Sequence, residues 1–295
     1  MRVAFLGLGA IGTPMARHLI SPAWSLTVWN RTAAKAEAFA RAHGCTVAAT
    51  PAAAARDADV VITCLPSSRE VESLMAAADG LLDALAPDSV LVDCTSGDPA
   101  TSRRLATVLA ARGVHFIDAP VSGGTAGAES ATLTVMVGGD AAVFARVRDV
   151  LDAFGEKLVH CGPVGAGHAL KAVNNALLAM HIWSTAEGLA TLKKAGVDPT
   201  LALEVINASS GRSNASMNLF PARVLSRAFP RTFRLALLDK DVGIAAQVAR
   251  DTATSSPLMQ LTAELFRTAH TLLGEEADHV EAVKCVERWS ATEIS

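Results

Sequence analysis

The chain has 295 residues, 51% of them hydrophobic and 19% charged, which is material for one large core or two ordinary ones. Its formal net charge of −3 comes without a long run of either sign, which argues against a nucleic-acid partner, because neutralising phosphates takes clustered Lys and Arg. Five cysteines stand apart with no CxxC pair, and eight histidines show no HxxxH spacing, so reduced thiols in a cytoplasmic protein and no protein-bound metal are expected.

The chain starts with an apolar strand, Val3-Ala4-Phe5-Leu6, that runs straight into a glycine loop, and no targeting segment is expected. No stretch reaches the roughly 18 uninterrupted apolar residues of a membrane span. Further strands are expected at residues 26–29, 60–65, 90–93 and 115–118, alternating with Ala-rich helical segments such as 32–43 and 101–112. Strand and helix in repetition mean a parallel sheet covered on both faces. Two more strand-like runs, 132–137 and 157–160, flank a helical stretch.

The character changes after Gly162-Pro163-Val164-Gly165. From Gly167 to about Ala195 there is no proline and Gly188 is the only internal glycine, which predicts a helix roughly 40 Å long. Its middle, residues 175–183, is mostly apolar on all sides and should be buried. The remainder reads as further helices with loops near 208–213 and 229–232.

Gly7-Leu8-Gly9-Ala10-Ile11-Gly12 is a GxGxxG loop between the first strand and a helical pattern. The first glycine permits a tight turn, the second lets the backbone approach a pyrophosphate, and the third allows close helix–strand packing. The fold class is therefore α/β: a Rossmann-type doubly wound sheet over residues 1–163, then an all-α domain over 164–295. At the end of the second strand, where NAD-binding domains usually place a carboxylate, stand Asn30, Arg31 and Thr32. A guanidinium and a hydroxyl would hold a 2′-phosphate that a carboxylate would repel, so NADP is preferred over NAD as cofactor. The other reading of Arg31 is a solvated surface residue.

Three further places carry candidate chemistry. In Pro120-Val121-Ser122-Gly123-Gly124 a strand gives way to a hydroxyl and two glycines, either an ordinary turn or a place where backbone N–H groups converge on a carboxylate. Lys171 and Asn175 are four apart on the long helix and share a face, with Asn174 beside them. A lysine near the start of an apolar helix either snorkels to solvent or is buried because its charge is used. Thr95 and Ser96 follow the strand at 90–93, at the sheet edge where doubly wound folds bind ligands.

With these segments in place the sequence resembles the β-hydroxyacid dehydrogenase family over nearly its whole length. The resemblance rests on the loop from Gly7 to Ala16, on Asp118-Ala119-Pro120-Val121-Ser122-Gly123-Gly124, on Gly167-His168-Ala169-Leu170-Lys171-Ala172-Val173-Asn174-Asn175, and on Lys240-Asp241. It implies that Lys171 is catalytic and that Ser122, Gly123, Gly124 and Asn175 bind the carboxylate of a small-molecule substrate. It also implies that Leu65 and Pro66 line the cofactor cleft, that Lys240 reaches the cofactor, and that Asp241 orients the lysines. Phe233, eight residues before Asp241, stands where some members wall the substrate pocket. The family usually has Ser-Thr where this chain has Thr95-Ser96.

The expected activity is hydride transfer between NADP(H) or NAD(H) and a short β-hydroxyacid or semialdehyde, in a homodimer or homotetramer. Three rivals are set against it. A 6-phosphogluconate dehydrogenase would have His where Asn174 stands, an imine reductase would replace the lysine, and an inactive dinucleotide-binding scaffold would have lost it.

Overall fold

Alternation along the strands decides the architecture. The computed structural model describes residues 1–295. In β1 (Arg2–Leu6), Val3 and Phe5 enter one apolar cluster while Ala4 and Leu6 enter another, as successive side chains of a strand must. The same partition holds in β4 (Val60–Thr63) and β5 (Val90–Asp93), so the sheet is buried on both faces. Together with β2 (Ser25–Trp29), β3 (Thr46–Val47) and β6 (His115–Asp118) they form a parallel sheet ordered β3-β2-β1-β4-β5-β6. This is the doubly wound order, in which ligands bind at the strands' carboxyl ends near the reversal between β1 and β4.

The edge beyond β6 departs from that pattern. β7 (Val121–Ser122) and β6 both pair antiparallel with β8 (Leu133–Gly138), and β9 (Gly155–Gly162) pairs parallel with β8. β4 ends at Thr63, two residues short of the expected strand, and leaves Leu65 and Pro66 in the following turn.

The covering helices are α1 (Gly12–His18), α2 (Ala33–His43), α3 (Pro51–Ala55), α4 (Ser68–Ala76), α5 (Pro99–Ala110), α6 (Gly124–Ser130) and α7 (Ala141–Asp152). Five of the α-helices start on an N-cap side chain that accepts a backbone N–H, for example Asp98 at α5 and Asp140 at α7; the start of α1 at Ile11 has no side-chain cap.

The chain divides into two compact units, Met1–Lys171 and Ala172–Ser295, and α8 (Ala166–Lys194) begins in the first and continues through the second. The second unit is helical throughout. It contains α9 (Pro199–Asn207), a π-helical segment (Ala215–Leu225), α10 (Leu235–Asp251), α11 (Pro257–Leu273), a 3-10 turn (His279–Ala282) and α12 (Val283–Ser290). Its core gathers Trp183, Phe220, Leu238, Phe266 and Val286. No helix of the chain is long and apolar enough to cross a membrane.

Candidate active site

The glycine loop is shaped by what its glycines lack. Gly7 has φ +112°, and a Cβ there would overlap the carbonyl oxygen of Cys64; a Cβ at Gly12 would overlap the carbonyl of Gly7. Gly9 is exposed with nothing within 4 Å of where its Cβ would stand, so open space lies over the middle of the loop. Ala10 is exposed as well, and Ile11 is half-buried. The loop is held from β2: Gly7 N–H donates to the Trp29 carbonyl at 3.0 Å, and Leu8 N–H donates to Asn30 Oδ1 at 2.9 Å. The Asn30 amide also donates to the Thr32 carbonyl at 3.1 Å, so Asn30 acts as a tether within this corner. Arg31 and Thr32 are exposed beside it. An open loop over a free helix start, with a guanidinium at the end of β2, fits a dinucleotide phosphate.

A second set of polar groups lies at the ends of β4 and β5. Asp93 is buried, and its Oδ1 accepts from Thr63 Oγ1 at 2.8 Å and from Thr95 N–H at 3.1 Å. The Thr95 hydroxyl accepts from Leu65 N–H at 3.1 Å, which ties the two strand ends together. Thr95 is buried, whereas Ser96 and Leu65 are half-buried and Pro66 is exposed. Burial, aided by Asp93, pushes the Cys64 thiol up to about 12, so it carries no thiolate chemistry.

Ser122 closes the short strand β7, opposite Thr134. Gly123 and Gly124 then take φ +138° and +65°, left-handed conformations that glycine adopts without strain. Both are exposed, and nothing lies within 4 Å of the Cβ position of Gly124. One hydroxyl and two successive backbone N–H groups are therefore presented together at the start of α6.

The start of α8 is pinned to the sheet by Asp118 at the end of β6. Its carboxylate accepts from Gly165 N–H at 2.7 Å and from His168 N–H at 2.8 Å. Burial holds the Asp118 carboxyl above its ordinary range; His168 and the N–H donors pull the other way without cancelling that effect. Along the helix His168, Lys171 and Asn175 recur at i, i+3 and i+7 on one face, and they are only 0%, 9% and 4% exposed. Snorkelling does not describe Lys171, which is buried.

Asn175 is held at both ends of its amide. Its Nδ2 donates to Asp241 Oδ2 at 2.6 Å, and its Oδ1 accepts from Asn174 Nδ2 at 3.2 Å. Asp241, itself buried, binds Lys240 Nζ through its other oxygen at 2.8 Å. Asn175, Asp241 and Lys240 thus form one connected set. Phe233 is half-buried and packs its ring against that of His279, with centroids 5.4 Å apart, while its N–H donates to Asp278.

Several members of this arrangement escaped the sequence reading: Asn174 as a partner of Asn175, Asp118 as the anchor of α8, and the cluster Asp93, Ser102 and His168. Asn174, already placed beside Lys171 and Asn175, and His168, which continues their spacing back by one turn, are the two that left a signal.

Residues 2–162 match the family described as the NAD binding domain of 6-phosphogluconate dehydrogenase. Residues 165–286 match that described as NAD-binding of NADP-dependent 3-hydroxyisobutyrate dehydrogenase. The chain is 39% identical over 271 residues to a 3-hydroxyisobutyrate dehydrogenase of Pseudomonas aeruginosa, covering 90% of both chains. It is 37% identical over 272 residues to an NAD-dependent L-serine dehydrogenase of the same organism, covering 90% of this chain and 91% of the relative. Among solved structures it resembles a Mycobacterium tuberculosis 3-hydroxyisobutyrate dehydrogenase with L-serine, with TM-score 0.88 and 30% identity over 97% of this chain and 98% of that one. With the glycine loop, the Ser-Gly-Gly turn and the buried lysine of α8 all in place, these matches leave one assignment: the chain belongs to the β-hydroxyacid dehydrogenase family, NAD(P)-dependent oxidoreductases that act on the CH–OH group of hydroxyacids.

Proposed function

We propose that the protein interconverts a short β-hydroxyacid and its semialdehyde, or a like pair such as glycolate and glyoxylate, with NADP(H) preferred over NAD(H). The observation that carries this reading is the buried polar stripe of α8, in which Lys171 stands one turn before an Asn175 fixed by Asn174 and Asp241. A buried amine is costly unless its charge is used. Lys171 hydrogen-bonds the reacting oxygen, donates a proton to it during reduction and recovers one from it during oxidation. The dinucleotide, when bound, supplies or takes up the hydride.

The other residues bind and orient. Ser122 and the N–H groups of Gly123 and Gly124 hold the substrate carboxylate, because anions suit successive unpaired backbone donors. The loop from Gly7 to Gly12 takes the pyrophosphate, with Asn30 bracing Leu8 from below. Arg31 and Thr32 hold the 2′-phosphate, Leu65, Pro66, Thr95 and Ser96 border the cofactor, and the family resemblance assigns Lys240, paired with Asp241, to the cofactor as well. The family resemblance points to three- and four-carbon acids, and the relative named for L-serine adds that amino acid to the candidates.

The deciding experiment assays glyoxylate, succinic, tartronate and methylmalonate semialdehydes, 3-hydroxyisobutyrate and L-serine with both cofactors, in wild type and Lys171→Ala. We expect turnover of at least one acid and a kcat lowered by at least ~100-fold in the variant, the low end for a positioned proton donor. Cofactor affinity should barely change. A variant that keeps most of its turnover, or activity confined to uncharged aldehydes, defeats the reading.

A further inference from the structure

The first unit contains one buried side-chain atom with no hydrogen-bond partner, Nε2 of His168. The imidazole is wholly buried and closely covered: a Cβ at Gly97 would come within 2.8 Å of its Cε1. Its Nδ1 lies 2.7 Å from Ser102 Oγ on α5, and its Nε2 faces Asp93 Oδ2 at the end of β5 across 4.0 Å. That gap is too long for a direct hydrogen bond.

The set Ser102, His168 and Asp93 has the composition of a hydrolytic triad but not its access. The three residues are 1%, 0% and 2% exposed, so no substrate reaches the serine. Inside the protein the cluster adjoins Lys171, the next residue along the same helix face.

The proton positions follow from the partners. Ser102 has one hydroxyl proton and two acceptors within reach, His168 Nδ1 at 2.7 Å and the Asp98 carbonyl at 3.2 Å. If the hydroxyl chose Asp98, Nδ1 would carry the imidazole proton and a bare Nε2 lone pair would face the Asp93 carboxylate, which is repulsive. With the hydroxyl donated to Nδ1, an Nε2–H points at that carboxylate instead. The second carboxylate beside the ring, Asp118, is engaged by the backbone N–H groups of Gly165 and His168 and does not compete for the ring proton.

We propose that His168 is a positioning residue for Lys171: its Nε2–H closes onto Asp93 Oδ2 in the reacting enzyme and thereby ties the first turn of α8 to the end of β5. Closure by about 1 Å makes an ordinary hydrogen bond. A displacement of that size at a proton donor is enough to change a rate strongly. The proposal rests on Lys171 being the proton donor.

Two substitutions separate the two ring nitrogens. His168→Asn places an amide near the Nδ1 position and keeps the contact to Ser102, but it does not reach Asp93. His168→Gln reaches the Nε2 position. We expect His168→Asn to lower kcat about tenfold while substrate KM and cofactor Kd stay within about twofold. His168→Gln should recover most of kcat, with both variants melting near wild type. Nitrogen-15 NMR of the imidazole, assigned through its own backbone, should show Nε2 protonated and Nδ1 bare. Wild-type kcat in His168→Asn, equally slow Asn and Gln variants, or a protonated Nδ1 would each overturn the proposal. The tautomer is read without substrate, so it tests the His168 geometry even if no acid in the panel turns over, the result that would defeat the functional reading itself.

Discussion

NADPH differs from NADH by one phosphate on the adenosine ribose, so a protein that separates them needs a group at that phosphate. Arg31 is exposed at the end of β2, where a carboxylate would favour NADH. Asn30 beside it is occupied, bonded to Leu8 N–H and the Thr32 carbonyl, so the proposed preference for NADPH rests on Arg31 and Thr32. One charge-assisted contact contributes about 1.5–3 kcal/mol, or roughly 10- to 150-fold in affinity. Titrations should therefore find NADPH bound at least about tenfold more tightly than NADH. Arg31→Ala should remove most of that margin and leave NADH nearly unchanged; a variant that weakens both alike would place the guanidinium on the adenine instead. At this scale spacing placed Lys171 and Asn175 on one helix face, and both are buried there, while the roles proposed for them came from the resemblance alone. The sequence was silent where partners come from distant segments. Nothing in the sequence near Asp93 announces Thr63, Ser102 or His168, because their meeting depends on β4, α5 and α8 being packed together.

Elements owe their positions to a few buried polar residues as much as to apolar periodicity, and Asp278 is the plainest case in the helical unit. It opens the 3-10 turn with a capping box, accepting from Val280 N–H while Glu281 accepts from its own N–H. Its other oxygen accepts from Thr232 N–H, Thr232 Oγ1 and Phe233 N–H at 2.7, 3.0 and 2.9 Å, which fastens the segment before α10 to the turn before α12. Burial alone would raise its carboxyl, but the hydrogen bond and charge of His279, with the N–H donors, outweigh burial and hold it far below the ordinary range. A carboxyl lowered in the folded state stabilises above its unfolded pKa and loses that contribution as pH falls below it. Asp278→Ala should thus cost roughly 3–5 kcal/mol near neutral pH, as breaking a buried charged network does. In urea unfolding, that deficit should shrink as pH is taken from about 5 down toward 3. A deficit independent of pH would assign the effect to packing. The main parallel strands and α8 were legible because they are long enough for a period to show. The two-residue strands β3 and β7 are too short for any periodicity, and the antiparallel direction of β8 is a tertiary choice. The π-helical segment Ala215–Leu225 contains Pro221, which has no N–H to donate, so its hydrogen-bond spacing could not be read from a helical pattern alone.

For the molecule as a whole, the helical unit exposes large apolar side chains in pairs. On α9, Leu201 and Val205 are 54% and 58% exposed one turn apart, and on α11 Leu258 and Leu261 are 61% and 55% exposed on neighbouring turns. Single exposed leucines are ordinary, whereas adjoining pairs on one helix face make the kind of patch found at protein–protein interfaces. A second copy of the same chain is the simplest partner, since most soluble oligomers are symmetric assemblies of one subunit. Light scattering at micromolar concentration should therefore give two or four times the chain mass of 30.5 kDa. Replacing Leu258 and Leu261 together by Glu should shift the population toward monomer without changing far-ultraviolet circular dichroism, because both side chains already face outward. A wild-type protein that stays at the chain mass across that concentration range would show that these patches are tolerated by a monomer.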